Sequence, residues 1–305
     1  MTENQPILKV EHLIKNFGTN RVLKNVNFEV NAGEIICIIG QSGHGKSVLM
    51  RNIMGLMRPD GGRILFKGDV ISSPATHPSK YNEVRHKFGL LFQGAALFDS
   101  MTIEDNIAFA LRERTNFSEA EILRRVEKSI AQVGLSNVLH LMPADLSGGM
   151  RSRVGLARAI VMEPEIMLYD EPTSALDPIM TDMVNDLILD LRARLNMTSM
   201  IITHDISSAY KIADKIVMIY GGNVVFNGTP GEIRSSRDPY VQKFIRGNRK
   251  AHYALDDNES GSTTNRNVDV SELRNATNER ASRKFESVKE LNVVPRTTFM
   301  PAARA

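Results

Sequence analysis

Gly40-Gln41-Ser42-Gly43-His44-Gly45-Lys46-Ser47 decides how this chain is read. The stretch fits G-x-x-x-x-G-K-[ST], the pattern of a phosphate-binding loop. Ile35-Ile36-Cys37-Ile38-Ile39 precedes it and predicts a buried parallel strand. Val48-Leu49-Met50-Arg51-Asn52-Ile53-Met54 follows and predicts a helix start. Strand, loop and helix are the context the motif needs. Glycines let a backbone curl around phosphate oxygens without Cβ clashes. The loop amides and the helix N-terminus then point partial positive charge at an anion. Lys46 adds a full charge for β- and γ-phosphates, and the Ser47 hydroxyl can ligate Mg²⁺.

The 305 residues are enough for one large or two small domains. With 42% hydrophobic and 24% charged residues, the composition is that of an ordinary globular protein. A net charge of +3 is too small to imply nucleic acid. One cysteine, Cys37, excludes a disulfide within the chain and fits a reducing compartment. No apolar run approaches the ~20 residues of a membrane-spanning helix. The first residues carry no signal-peptide pattern, so a cytoplasmic chain is expected.

In chain order, residues 7–13 alternate as a strand, Lys15 to Arg21 read as a polar turn, and Val22–Val30 as a second strand. Arg63–Phe66 is a short strand, and 72–80 a Ser-, Pro- and Thr-rich loop. Residues 102–142 read as wholly helical. Ser118 and Glu121 form a capping-box signal there, with Ile122, Val126, Ile130 and Val133 at helical spacing. Short apolar runs at 166–169, 200–203 and 216–219 then alternate with amphipathic stretches. That alternation predicts a mostly parallel sheet covered on both faces. From about 249 the composition turns polar. The extension 248–305 is expected to be largely disordered or docked on a partner, through an amphipathic set at Phe285, Val288 and Leu291.

Other residues fit phosphate chemistry. Asp170 ends an apolar strand where it can hold Mg²⁺ through water, and Glu171 is placed to polarise an attacking water. Gln93, after another strand, can contact both metal and water without carrying charge. His204 follows a strand ending at Thr203 and is a candidate γ-phosphate contact. The remaining histidines outside the loop read as surface or packing residues. Ser147-Gly148-Gly149 opens a helical pattern and makes a second anion site of different design. Ser174-Ala175-Leu176-Asp177 is a tight polar turn.

This ordered set resembles the ATPase subunits of ATP-binding cassette (ABC) transporters over about residues 7–247. The resemblance implies an α/β P-loop NTPase of the ABC ATPase fold, with an N-terminal antiparallel β region and a helical subdomain inserted at about 97–160. It implies ATP and Mg²⁺. It also implies that Phe17 stacks on adenine, that Val22 and Val48 join residues 40–47 around ATP, and that Ser47, Gln93 and Asp170 hold the metal. Glu171, His204 and Gln93 are then catalytic. Two copies pair head to tail, so that Ser147, Gly148, Gly149 and Asp177 contact ATP across the pair, and a lone chain is a poor ATPase. Two residues depart from the family pattern. Met150 stands where glutamine is usual, and His44 where small residues are common; an outward-facing neutral ring is expected for His44.

The resemblance also implies that Gly94-Ala95-Ala96-Leu97-Phe98-Asp99-Ser100-Met101-Thr102 lies where such a fold faces a membrane subunit. Its Ala-Leu-Phe-Asp-Ser string is similar to ATPases that energise MCE-type lipid transporters, the Mla phospholipid system among them. That resemblance implies a permease, an MCE-domain protein and a STAS-domain protein as partners. It also implies a peripheral place on the cytoplasmic face of a bacterial inner membrane, and phospholipid movement between inner and outer membranes. An importer ATPase for a small solute such as an amino acid is the alternative. A cassette acting on ribosomes or DNA fits less well, given a single cassette and little net charge. A binding-only cassette conflicts with the presence of Glu171 and His204.

Overall fold

The structure is a computed structural model that describes residues 5–174 and 176–256, with side-chain surroundings through 247. The chain begins with β1 (Leu8–Phe17), β2 (Asn20–Val30), β3 (Ile35–Ile39), α1 (Lys46–Ile53), β4 (Gly61–Phe66), β5 (Asp69–Ser72), α2 (Pro78–Val84) and β6 (Phe88–Leu91). A helical stretch follows: α3 (Ile103–Arg114), α4 (Glu119–Gln132) and α5 (Gly148–Ile160). It continues with β7 (Ile166–Asp170), α6 (Pro178–Leu195), β8 (Thr198–Ile202), α7 (Ile206–Ile212), β9 (Lys215–Tyr220), β10 (Asn223–Gly228), α8 (Pro230–Ser235) and α9 (Pro239–Asp256). All but the end of α9 belong to the unit Met1–His252; of the second unit, Tyr253–Ala305, only the first four residues are described.

The strands order as β5-β4-β1-β2-β10-β9-β3-β8-β7-β6. β1, β2, β4 and β5 pair antiparallel, while β3, β6, β7, β8 and β9 run parallel. β3 lies between β8 and β9, deep in the parallel part. Its five residues are buried, and they alternate between two cores. Ile35, Cys37 and Ile39 face one, Ile36 and Ile38 the other. A continuous apolar run is what a strand covered on both faces requires. The same alternation recurs in β7, where Met167 and Tyr169 face one core and Ile166 and Leu168 the other.

The helical insert packs on the first core through Ile107 and Leu111 of α3, Ile122, Val126 and Ile130 of α4, and Val154 of α5. Thr102 and Ser118 cap α3 and α4 by accepting from the Asp105 and Glu121 amides, so each helix starts where its polar cap residue stands. Asn106 is fully buried. Its Oδ1 accepts from Phe98 N at 2.8 Å, and its Nδ2 donates to the carbonyls of Phe98 (3.0 Å), Met101 (3.2 Å) and Thr102 (3.0 Å). One amide thereby folds the 98–102 loop onto α3.

Four local expectations are corrected. The Lys15–Arg21 turn is narrower than expected: β1 runs through Phe17 and β2 restarts at Asn20, because Phe17 pairs with Asn20 across a two-residue reversal carrying Gly18 at φ 58. Residues 102–142 are not one helical run. α3 ends at Arg114 and α4 at Gln132, after which Gly134 and Asn137 hold φ of 70 and 58, outside the helical range. The 72–80 segment is not wholly loop, since β5 reaches Ser72 and α2 begins at Pro78. His77 caps α2, its Nδ1 accepting from the Ser79 amide at 3.3 Å. α1 begins at Lys46 itself, two residues before the apolar periodicity becomes visible. Phe285, Val288 and Leu291 lie outside the described residues, as does Ala175.

Candidate functional site

Because β3, β8, β7 and β6 run parallel, their carboxyl ends come out along one edge. Ligands in such sheets bind beyond that edge. The loop 40–45 leaves β3 there and closes on itself. Gly43 and Gly45 hold φ of 81 and 99, and a Cβ on Gly45 would come within 2.9 Å of Leu23 Cδ2. Gly40 lies so close to β9 that a Cβ would fall on the Ile219 carbonyl oxygen. Lys46 is 7% exposed, and its Nζ donates to the carbonyls of Gly40 (2.6 Å) and Gln41 (3.1 Å). Burial lowers its pKa, and the charges of Glu171 and Asp170 oppose that shift.

Across the edge, Asp170 closes β7. Burial raises its carboxyl above the ordinary range, against the pull of Arg51 and Lys46. Glu171 turns into the left-handed region at φ 50, and its amide donates to Ile202 O at 2.9 Å, tying the end of β7 to β8. Its Oε2 lies 2.8 Å from His204 Nδ1 and accepts from the His204 amide at 3.3 Å. Gln93, beyond β6, donates through Nε2 to Ser174 Oγ at 3.2 Å.

A cavity of about 480 Å³ joins these groups. Val22, Ser42, Gly43, Gly45, Lys46, Ser47 and Val48 line one side; Gln93, Asp170, Glu171, Ser174 and His204 line the other. Gly40, Gln41 and His44 belong to the loop without lining the cavity, and Phe17 stands nearly half exposed at the tip of β1. Ser147, Gly148, Gly149 and Asp177 are absent from the lining and form a group of their own. Ser147 caps α5 through the Met150 amide, and Asp177 caps α6 through the Met180 amide at 2.9 Å. Met180 Cε occupies the space a Cβ on Gly149 would need. One chain thus presents two separate groups of the residues singled out from the sequence.

His44 departs from expectation. Its ring is half-buried rather than turned outward. Nδ1 accepts from the Gly221 amide at 3.2 Å, and the ring packs 4.9 Å from that of Tyr220. A turn 177 residues away supplies both partners, which local sequence does not show. Sequence reasoning also missed Ser174 as a lining residue and Arg51 as a charge acting on Asp170. A basic residue one turn beyond Lys46 was the available signal for Arg51.

The residues fit a nucleotide phosphate and Mg²⁺. Gly40 and Gly45 leave no room for side chains, and a hydroxyl, an amide and a carboxylate line the same cavity as hard oxygen donors of the kind Mg²⁺ takes together with water. The bound ion would offset the charge of the phosphate oxygens. Asp170 and Lys46 would meet it and the phosphates from opposite walls.

A glycine-rich phosphate loop facing strand-end carboxylates defines a P-loop nucleotide hydrolase. Residues 23–174 match the ABC transporter family model. The chain is 39% identical over 257 residues to mkl of Mycobacterium leprae, named a "probable ribonucleotide transport ATP-binding protein", covering 84% of this chain and 73% of that one. It is 37% identical over 244 residues to the intermembrane phospholipid transport system ATP-binding protein MlaF of Haemophilus influenzae, covering 80% and 92%. A solved ATP-binding cassette in a dimeric, post-hydrolysis state with ADP and Pi superposes with a TM-score of 0.66 at 28% identity, over 73% of this chain and 98% of that one. The chain belongs to the ATP-binding cassette family of transporter ATPases, and it hydrolyses ATP with Mg²⁺ as the accompanying ion. The expected fold class and cofactors are borne out.

Proposed function

We propose that this chain is the ATP-hydrolysing subunit of a transporter that moves phospholipid between the inner and outer membranes of a bacterium. The observation that carries the reading is the relationship to MlaF, whose name gives intermembrane phospholipid transport and 92% of whose length is matched. A relative from Arabidopsis thaliana, the chloroplastic protein trigalactosyldiacylglycerol 3, is 36% identical over 265 residues.

In this proposal residues 40–47 hold the phosphates, with Val22 and Val48 beside them and Phe17 against the base. Ser47, Asp170 and Gln93 serve the metal. Glu171 takes the proton from the attacking water, and His204 holds the far end of the γ-phosphate. Ser147, Gly148, Gly149 and Asp177 serve the site of a second copy, which accounts for their standing apart from the cavity of their own chain. The cassette domain is 7–247, its helical subdomain lies at about 97–160, and 248–305 extend from it.

No helix among the described residues is long and apolar enough to cross a membrane. In this proposal the transmembrane path belongs to a permease subunit, and this chain sits peripherally on the cytoplasmic face of the inner membrane. A groove of about 490 Å³ between β6 and the helical insert is the place for that subunit. Phe92, Phe98 and Phe109 line it, with Arg85, Arg114 and Arg158 around them. An MCE-domain protein and a STAS-domain protein complete the assembly.

The test is to purify the chain with its partners from native membranes in mild detergent, then identify proteins and lipids together. A permease, an MCE-domain protein and phospholipid are expected. A solute-binding partner with no lipid would overturn the cargo and leave the ATPase standing.

A further inference from the structure

We infer that Tyr240 and Tyr220 are positioning residues for the phosphate loop, and that they act through His44. The end of β9 and the β9–β10 turn touch both the phosphate loop and Val22 of β2. On one side, Ile219 O lies against Gly40, and the Gly221 amide donates to His44 Nδ1. On the other, Gly222 lies against the carbonyl of Val22, which lines the cavity; a Cβ there would come to 2.5 Å from that oxygen. Gly221 and Gly222 hold φ of 56 and 81, so the turn's shape depends on residues with no side chain to anchor it. Its anchor is Tyr220. One face of that ring meets His44, and the Tyr240 ring packs on it with centroids 3.6 Å apart. Tyr240 stands at the start of α9, whose Val241, Phe244 and Ile245 are buried in the core.

A continuous path of packed groups therefore runs from the core, through Tyr240, Tyr220 and His44, to the middle of the phosphate loop. None of the three rings lines the cavity. Their effect is on how much of the loop's ordering is complete before nucleotide arrives, and such preorganisation appears as affinity. Aromatic pairs of this kind sustain changes of about three- to tenfold.

The inference rests on residues 40–47 binding ATP phosphates. Equilibrium titration of the full chain with a fluorescent N-methylanthraniloyl ATP and Mg²⁺ tests both levels. Lys46→Ala should abolish binding; if it does not, the site reading fails and this inference falls with it. With that control passed, Tyr240→Ala should weaken binding about three- to tenfold. In the purified transport complex it should raise KM for ATP by a similar factor, with kcat unchanged. Tyr240→Phe keeps the ring and should restore the parent values; its hydroxyl has no hydrogen-bond partner among the described residues. Tyr240→Ala should add little to His44→Ala, because both cut one path. Affinity unchanged within twofold in Tyr240→Ala, failure of Tyr240→Phe to rescue, or full additivity of the two alanines would each overturn it.

Discussion

Asn106→Ala separates the groove from the ATP site. Removing the amide takes the acceptor from Phe98 N–H and a donor from Met101 O. The other two carbonyls keep partners, since Phe98 O also accepts from Met101 N and Thr102 O from Asn106 N. Two orphaned backbone groups cost about 1–3 kcal/mol each. Taking about 1.5 kcal/mol for each gives about 3 kcal/mol. At about 1.4 kcal/mol per decade, the 98–102 loop should open about a hundredfold more often. Hydrogen exchange read by mass spectrometry on peptides covering 97–106 is the assay, with peptides from α1 and β3 as internal reference. Asn106→Asp should be worse than alanine, because it turns a carboxylate toward three carbonyls. Nucleotide affinity should be unchanged, and ATPase stimulation by the membrane partner should fall. Equal loss of protection in α1 and 97–106, or a change under threefold, would refute the reasoning. So would an aspartate that behaves better than alanine.

Glu171→Gln keeps the shape and loses the proton acceptor; hydrolysis should fall by about 10²–10⁴ while ATP binding persists and pairs accumulate on a sizing column. A rate near the parent's would remove Glu171 from its role. Ser147→Arg and Lys46→Ala should each be inactive alone, yet a mixture should regain part of the activity by forming one intact composite site; no recovery would argue against shared sites. Arg124 and Arg125 hold the Glu121 carboxyl at about 2, against an ordinary 4.5. A lowered carboxyl stabilises the fold fully above the unfolded value and loses that contribution as pH falls through the folded one. Thermal melts should therefore drop more steeply between about pH 5 and 2 for the parent than for Glu121→Gln. Parallel curves would show that the pair does not matter to stability.

The parallel core was legible because β3, β7 and β8 are apolar on both faces and no amphipathic reading competes with that. The phosphate loop was legible because its glycines and lysine are contiguous. What the sequence hid depends on distance or on single backbone angles. Lys15 and Asn16 look like turn residues, yet the Lys15 Nζ and the Asn16 amide both bond to Asp60, and the strand continues. The break after Gln132 turns on φ at Gly134 and Asn137, inside a stretch whose apolar spacing stays nearly helical. Gln93 was singled out, but its partner Ser174 lies 81 residues on. His44 looked free because no neighbour in sequence explains it; Gly221 and Tyr220 do. Ser147 and Asp177 were expected at an ATP site. Geometry alone shows that they stand apart from the cavity of their own chain.

The left-handed backbone at Glu171 also bears on what inheritance can do to this chain. A single base change turns a glutamate codon into one for valine or one for glycine. Valine at φ 50 is a steric outlier and would disturb the turn that donates to Ile202, so such a copy is poorly folded and silent. Glycine relaxes the turn while deleting the carboxylate. If Glu171 and the paired arrangement act as proposed, such a copy should fold, bind ATP and pair with normal partners, then hold them shut. On that proposal the more permissive substitution for the fold should be the more harmful one for the cell, because its damage would spread to every normal copy it pairs with. Coexpression of Glu171→Gly with the parent chain would show this as a dominant loss of activity, and Glu171→Val as a recessive one.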